Sequence, residues 1–342
     1  MIAPIAHRLP PEGYGPWEQV VSDLTEGLAA AGHEVTLFAP ASTVTPAELV
    51  VTVPHALADW PPDEMPPDAR VWEEIHIARA METVARGEFD IVHSHLNVHP
   101  LGHARHLGTP IVTTLHGSAW NRSIHPALEM FSDLPFVSLS ESERAFFPAL
   151  NYVATVPNGI DCDAVRFSPD VGDSLLFVGR MAPEKLPHAA IEVARKTGRS
   201  LILAGPIEEK HRDYFDEEVS PGIDGRDVVY LGPLDRAEVL DLYSTGLALL
   251  MPLAWEEPFG LVVVEALAAG TPVIAWRRGA MPELIRDGVT GALVDDVDGA
   301  VAALENTAWI DREACRRDAE TRFSIDAMTR GYVSAYELAL AP

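Results

Sequence analysis

Short runs of apolar and β-branched residues alternate with longer amphipathic segments along the whole chain. In the first half, residues 34–38, 50–53, 90–93, 110–115 and 136–139 carry the pattern of buried strands. Residues 17–31 and 69–86 carry the wider period of a helix. Gly32 ends the first helix just before the strand Glu34-Val35-Thr36-Leu37-Phe38. A second series follows Asn158-Gly159. Its predicted strands are 174–178, 200–203, 228–231, 247–250 and 272–275, and its predicted helices are 186–197, 237–243, 261–269 and 299–305. A last helical stretch spans 325–340. Such alternation predicts doubly wound parallel sheets. The Pro157 and Asn-Gly punctuation at Val156-Pro157-Asn158-Gly159 marks a break. The 342 residues accommodate two domains of roughly 150 residues each. The expected division is 1–157 and 158–324, with 61–67 a short proline-rich surface loop. Only Met1-Ile2-Ala3 precedes Pro4, so either the first strand is very short or the chain starts a few residues late.

Composition narrows the classes. A net charge of −26 argues against a nucleic-acid-binding surface and disfavours stable docking on anionic lipid. Cys162 and Cys315 stand far apart in no metal-ligand spacing, as expected of reduced thiols in a cytoplasmic protein. No run of 18 apolar residues predicts a membrane span, and the N-terminus has no signal-peptide pattern.

Two segments could carry chemistry. In Trp255-Glu256-Glu257-Pro258-Phe259-Gly260-Leu261-Val262-Val263-Val264-Glu265-Ala266, Pro258 suits the first turn of a helix. Gly260 leaves the backbone N–H groups there approachable by an anion. Glu257 falls just before that helix and Glu265 inside it. Eight helical residues rise about 12 Å, comparable to the reach from sugar to ribose in a sugar nucleotide. The plainer reading is an acid complementing the helix dipole and a solvated Glu. The second segment, Phe177-Val178-Gly179-Arg180-Met181-Ala182-Pro183-Glu184-Lys185, directly follows a strand, where open α/β sheets bind ligands. Arg180 and Lys185 form either a diphosphate clamp or two solvated cations. Lys185 is one of three lysines beside 22 arginines. His116 stands at the carboxyl end of a strand. His93, His95, His99, His103 and His106 have no acidic or Cys ligand in a recognised pattern beside them, and no metal site is expected. Gly13 and Gly15 lack the third glycine of a dinucleotide fingerprint.

Together these motifs resemble family 4 of the retaining glycosyltransferases, which have the two-Rossmann GT-B architecture. The resemblance rests on Gly179-Arg180…Glu184-Lys185, Glu257…Glu265 and Gly270-Thr271-Pro272-Val273-Ile274-Ala275. Gly288-Val289-Thr290-Gly291 and Val156-Pro157-Asn158-Gly159-Ile160-Asp161 add to it, in the right order over nearly the whole chain. It implies two Rossmann-like domains facing a central cleft that closes on the donor, with the helix 325–342 packed back on the N-terminal, acceptor-side domain. It implies that Arg180 and Lys185 bind the donor diphosphate, Glu257 the transferred sugar and Glu265 the ribose. Gly15, Gly179 and the backbone of Gly260, Leu261 and Val262 join the donor site, and His116 matches a histidine near the reacting carbon. Transfer would retain anomeric configuration without metal or cofactor, the departing phosphate helping to take the acceptor's proton. UDP is the expected nucleotide. The first 150 residues hold seven Arg, no Lys and 19 acidic residues, which favours a soluble acceptor over a membrane lipid.

One departure stands out. Gly13-Tyr14-Gly15-Pro16-Trp17-Glu18 has Pro16 where the pattern has a second glycine, so one N–H donor is absent. A catalytically impaired sugar-nucleotide-binding protein is therefore the alternative, with an epimerase or phosphorylase of the same architecture another and a nicotinamide oxidoreductase the remotest. The base, sugar, acceptor and oligomeric state stay open.

Overall fold

The computed structural model describes residues 1–13, 15–61, 68–117, 121–305 and 310–341. Most of the proline-rich loop expected at 61–67 therefore lies outside the described residues, as does Tyr14. The chain divides into two compact units. One comprises Met1–Gly159 with Ile325–Pro342, the other Ile160–Ser324.

The first unit holds β1 (Thr36–Pro40), β2 (Glu48–Val53), β3 (Val92–Ser94), β4 (Ile111–Thr114), β5 (Pro135–Ser138) and β6 (Asn151–Thr155). β1 pairs with β2, and β3 to β6 pair in sequence order, all parallel. The N-terminal residues join the two sets. Ile2 bridges both Phe38 and Ser94, its N–H donating to His93 O at 2.9 Å while Phe38 N–H donates to Met1 O at 2.9 Å. Residues 1–3 thus occupy the place of a first strand.

Helix Pro16–Ala30 begins on Pro16, where a proline's fixed φ and missing N–H cost nothing. Pro16 leaves the start of this helix with one N–H donor fewer to offer a ligand, as its place in the loop implies. Val20, Val21, Leu24 and Leu28 form its buried stripe. Helix Ile325–Leu340 buries Met328, Tyr332 and Ala335 in the first unit. Its Tyr332 hydroxyl shares a hydrogen bond with Thr114 Oγ1 at 3.1 Å.

The second unit holds β7 (Ser174–Val178), β8 (Leu201–Ala204), β9 (Val228–Tyr230), β10 (Gly246–Met251), β11 (Val273–Trp276) and β12 (Gly291–Val294). The order is β12-β11-β10-β7-β8-β9, all parallel. The chain builds outward from β7 through β8 and β9. It then returns to lay β10 on the other side of β7. Strand order reverses there, and in open parallel sheets the crevice at the carboxyl ends of such a pair is where ligands bind. The loops leaving β7 and β10 carry the two segments singled out in the sequence.

Candidate active site

The loop after β7 is shaped by its backbone. Gly179 N–H donates to Ala204 O at 2.9 Å and Met181 N–H to Pro206 O at 2.9 Å. A 3-10 turn over Pro183–Lys185 follows, and Leu186, at φ 49°, leads into helix Pro187–Thr197. Arg180 is not a solvated cation. Its guanidinium donates to Glu208 Oε2 at 2.8 Å and to Glu184 Oε1 at 2.9 Å. Lys185 makes an ion pair with Glu257, 72 positions away along the chain, and its ammonium lies 5.2 Å from the centre of the Trp255 ring. Trp255 Nε1 donates to the same carboxylate at 3.1 Å. Ala254 N–H donates to Glu184 O at 3.0 Å. The loops after β7 and β10 are therefore fastened together through backbone and side chain.

The helix beyond β10 starts at Leu261, as the periodicity over 261–269 predicts, and not at Pro258. It spans Leu261–Ala268, with Gly260 as its N-cap at φ 106°. Pro258 lies outside it, so its proline does not open the first turn. Only 261–265 of the step from Glu257 to Glu265 is helical, about 6 Å of rise and not the 12 Å of a continuous helix. Gly260 is suited to this place because a left-handed φ is open to glycine. A Cβ there would also meet Met281 Cε at 3.1 Å. No side chain among the described residues caps the helix, and no acid stands in its first turn. The N–H groups of Leu261 and Val262 have no acceptor within the helix.

Glu265 is buried, which excludes the solvated reading, and it accepts a hydrogen bond from Arg236 Nη1 at 3.0 Å. Burial raises its carboxyl above the ordinary value, against the pull of Arg236. The sequence reading missed Arg236. Asp235-x-x-Glu238, a capping box observed here at the start of helix Arg236–Ser244, was the available signal that a helix begins with this arginine.

Gly15 and His116 lie in the first unit. Gly15 caps the start of helix Pro16–Ala30, and a Cβ on it would meet Pro11 Cβ at 2.8 Å. His116 follows β4, its ring 5.2 Å from that of Trp17 in the same helix. His116 Nε2 and His95 Nδ1 share a hydrogen bond at 2.8 Å. Of the five histidines in the early series, His93 and His95 come together with His116, while His99, His103 and His106 are exposed. No group of three or more His, Cys, Asp or Glu among the described residues is arranged to hold a metal. Burial holds the His116 imidazole down at about 3 and those of His93 and His95 well below their ordinary value, so all three rings are neutral at neutral pH.

Glu143 is the other group the sequence reading missed. Its carboxyl accepts from Gly117 N–H at 2.7 Å and from Leu139 N–H at 2.9 Å. It thereby ties the loop carrying His116 to the end of β5. Burial pushes its carboxyl up to about 8, against those two donors. Ser140-x-x-Glu143 reads as a capping box, and Ser140 does accept from Glu143 N–H at 3.1 Å. The Glu143 side chain turns instead to the loop.

Cys162 and Cys315 are buried free thiols, pushed up by burial to about 11 and about 12. No described helix is long and apolar enough to cross a membrane.

Comparison with known proteins agrees with this fold. Residues 17–164 match the family profile Glycosyltransferase Family 4, and residues 166–322 match Glycosyl transferases group 1. A glycogen synthase of Mycobacterium tuberculosis is 29% identical, the match covering 88% of this chain and 84% of that protein. A D-inositol 3-phosphate glycosyltransferase of Frankia alni is 28% identical over 94% of both chains. The crystal structure of a glycosyltransferase involved in avilamycin A biosynthesis superposes with a TM-score of 0.72 at 26% identity, covering 99% of this chain and 97% of that one. With both units matched in order, and with two parallel α/β sheets, the chain belongs to the family 4 glycosyltransferases of GT-B architecture.

Proposed function

We propose that this glycosyltransferase moves a sugar from a nucleotide-diphosphate sugar, with UDP as the nucleotide, to a hydroxyl of a soluble acceptor, retaining configuration and needing no divalent metal. The observation that carries the reading is the fastening of the β7 and β10 loops by Lys185, Glu257 and the Ala254 N–H at the reversal of strand order. It gathers Arg180, Lys185 and the uncapped N-terminus of helix Leu261–Ala268 around the carboxyl ends of the two central strands.

Breaking the bond from the anomeric carbon to the diphosphate oxygen leaves negative charge on the departing group. Arg180 and Lys185 offset that charge, and the Leu261 and Val262 N–H groups add dipoles that need no reorganisation. The acceptor oxygen bonds to the same face of the sugar, and its proton passes to the departing phosphate. Glu257 orients sugar hydroxyls and Glu265 ribose hydroxyls, while Gly15 and Gly179 let backbone approach the donor. His116 meets the transferred sugar. Glu257 acts by positioning and not as a covalent nucleophile.

The test is transfer from UDP-sugars to small polyol and saccharide acceptors, with and without chelator, the product's anomeric configuration being read by NMR. Retained configuration at an unchanged rate in chelator is expected. Inversion, or activity abolished by chelator, would overturn the proposal.

A further inference from the structure

We propose that His95 is a positioning residue that fixes the tautomer of His116, so that His116 meets its ligand through a protonated Nδ1. This rests on the transfer reading above and deepens it.

The argument is one of proton accounting. His95 Nδ1 and His116 Nε2 lie 2.8 Å apart. Both rings are neutral, so each carries one N–H and one lone pair, and only one of the two facing nitrogens donates. Two arrangements satisfy this contact. In the first, His95 donates from Nδ1, its own Nε2 is bare, and His116 keeps its proton on Nδ1. In the second, His116 donates from Nε2, and His95 must carry its proton on Nε2.

The far side of His95 decides between them. His95 is fully buried, and its Nε2 has no hydrogen-bond partner among the described residues. A buried N–H with no acceptor is rarer than an under-used acceptor and costs its full desolvation. The first arrangement leaves only a lone pair there, whereas the second strands a proton. The neighbouring His93 is committed elsewhere. Its Nε2 shares a hydrogen bond with Thr114 Oγ1 at 2.7 Å and its Nδ1 with the Tyr336 hydroxyl at 2.7 Å. Its ring packs 4.0 Å from that of His95 and helps hold the ring plane. On the other side Glu143 grips the N–H of Gly117, the residue after His116.

The consequence is chemical. With Nε2 occupied by the His95 proton, His116 offers an N–H at Nδ1 and has no free lone pair. It donates a hydrogen bond to a sugar oxygen and does not act as a base.

The test reads ring nitrogens directly. Two-bond proton–nitrogen correlation spectra of the histidine-labelled chain, assigned with His116→Asn, should show both His95 and His116 protonated at Nδ1 and bare at Nε2. A proton on His116 Nε2 would overturn the proposal, and this needs no folded His95 variant and no activity. Two variants extend it. His95→Asn keeps an N–H donor near the place of Nδ1 and should preserve both the tautomer and transfer. His95→Leu should free the tautomer and slow turnover by about 100-fold, the cost of losing one preorganised donor, with donor KM unchanged. Equal effects of Asn and Leu would contradict the assignment. The expected tautomers in a chain that transfers no sugar would sink the transfer reading and leave the His95 assignment standing.

Discussion

Glu257 and Glu265 carry the same side chain into different surroundings. Glu257 is met by Lys185 and Trp255, Glu265 by Arg236 deep in the second unit. The cations proposed to hold a diphosphate are themselves held by carboxylates of the chain. On that proposal, donor phosphate competes with Glu208 for Arg180. Glu208 is 37% exposed, so the contact is worth little, and Glu208→Gln is expected to tighten nucleotide binding by about two- to five-fold, measured by calorimetry. Arg180→Ala is expected to slow transfer by about 100-fold in steady-state kinetics. Glu143 gives a pH dependence. Its carboxyl lies near 8 in the fold against an ordinary 4.5, so the folded chain holds a proton that the unfolded chain releases. That contribution to stability is complete below about pH 4.5 and is lost as pH rises through 8. Thermal unfolding from pH 5 to 9 should show this decline, and Glu143→Gln should flatten it. At this scale the sequence exposed the cations and the two Glu residues, because loop position and residue type announce them. It hid Glu143, Glu208 and Arg236, whose importance comes from partners 26 to 29 positions away.

Among the elements, β7, β8, β10 and β11 were legible because they are continuous apolar runs, buried at nearly every position. β6 was not: it is exposed or half-buried at every position and lies at the sheet edge. β12 is half-buried over three of its four residues and had been noted only as the motif Gly288–Gly291. Helix Arg312–Arg322 was missed for another reason. Its sequence, REACRRDAETR, has almost no apolar period to detect. It is held by Arg312, buried at 4% exposure, whose guanidinium donates to the carbonyls of Ser168, Gly246, Ser244 and Ala269 and to Thr271 Oγ1. A cation used as a bracket for four carbonyls leaves no mark in hydrophobic periodicity. Arg312→Ala strands those acceptors and is expected to cost about 3 kcal/mol or more by denaturant unfolding. Arg312→Lys should restore little of it, since an ammonium lacks the planar fork.

For the whole molecule, alternation of strand and helix periods was enough to foresee two doubly wound units, and the motif order was enough to foresee the family. The reversal of strand order between β7 and β10 was not legible, because it depends on which strands pair across long separations. Yet that reversal gives the β7 and β10 loops their significance. The central claim is that these loops form a nucleotide-diphosphate site in which Arg180 takes part. It is tested most directly by thermal unfolding of the chain and of Arg180→Ala with UDP, GDP, ADP and dTDP in turn, since a ligand bound only to the folded state raises the midpoint. The account predicts a rise with UDP above the others that Arg180→Ala abolishes. No rise with any of the four, or a rise that survives Arg180→Ala undiminished, would contradict it.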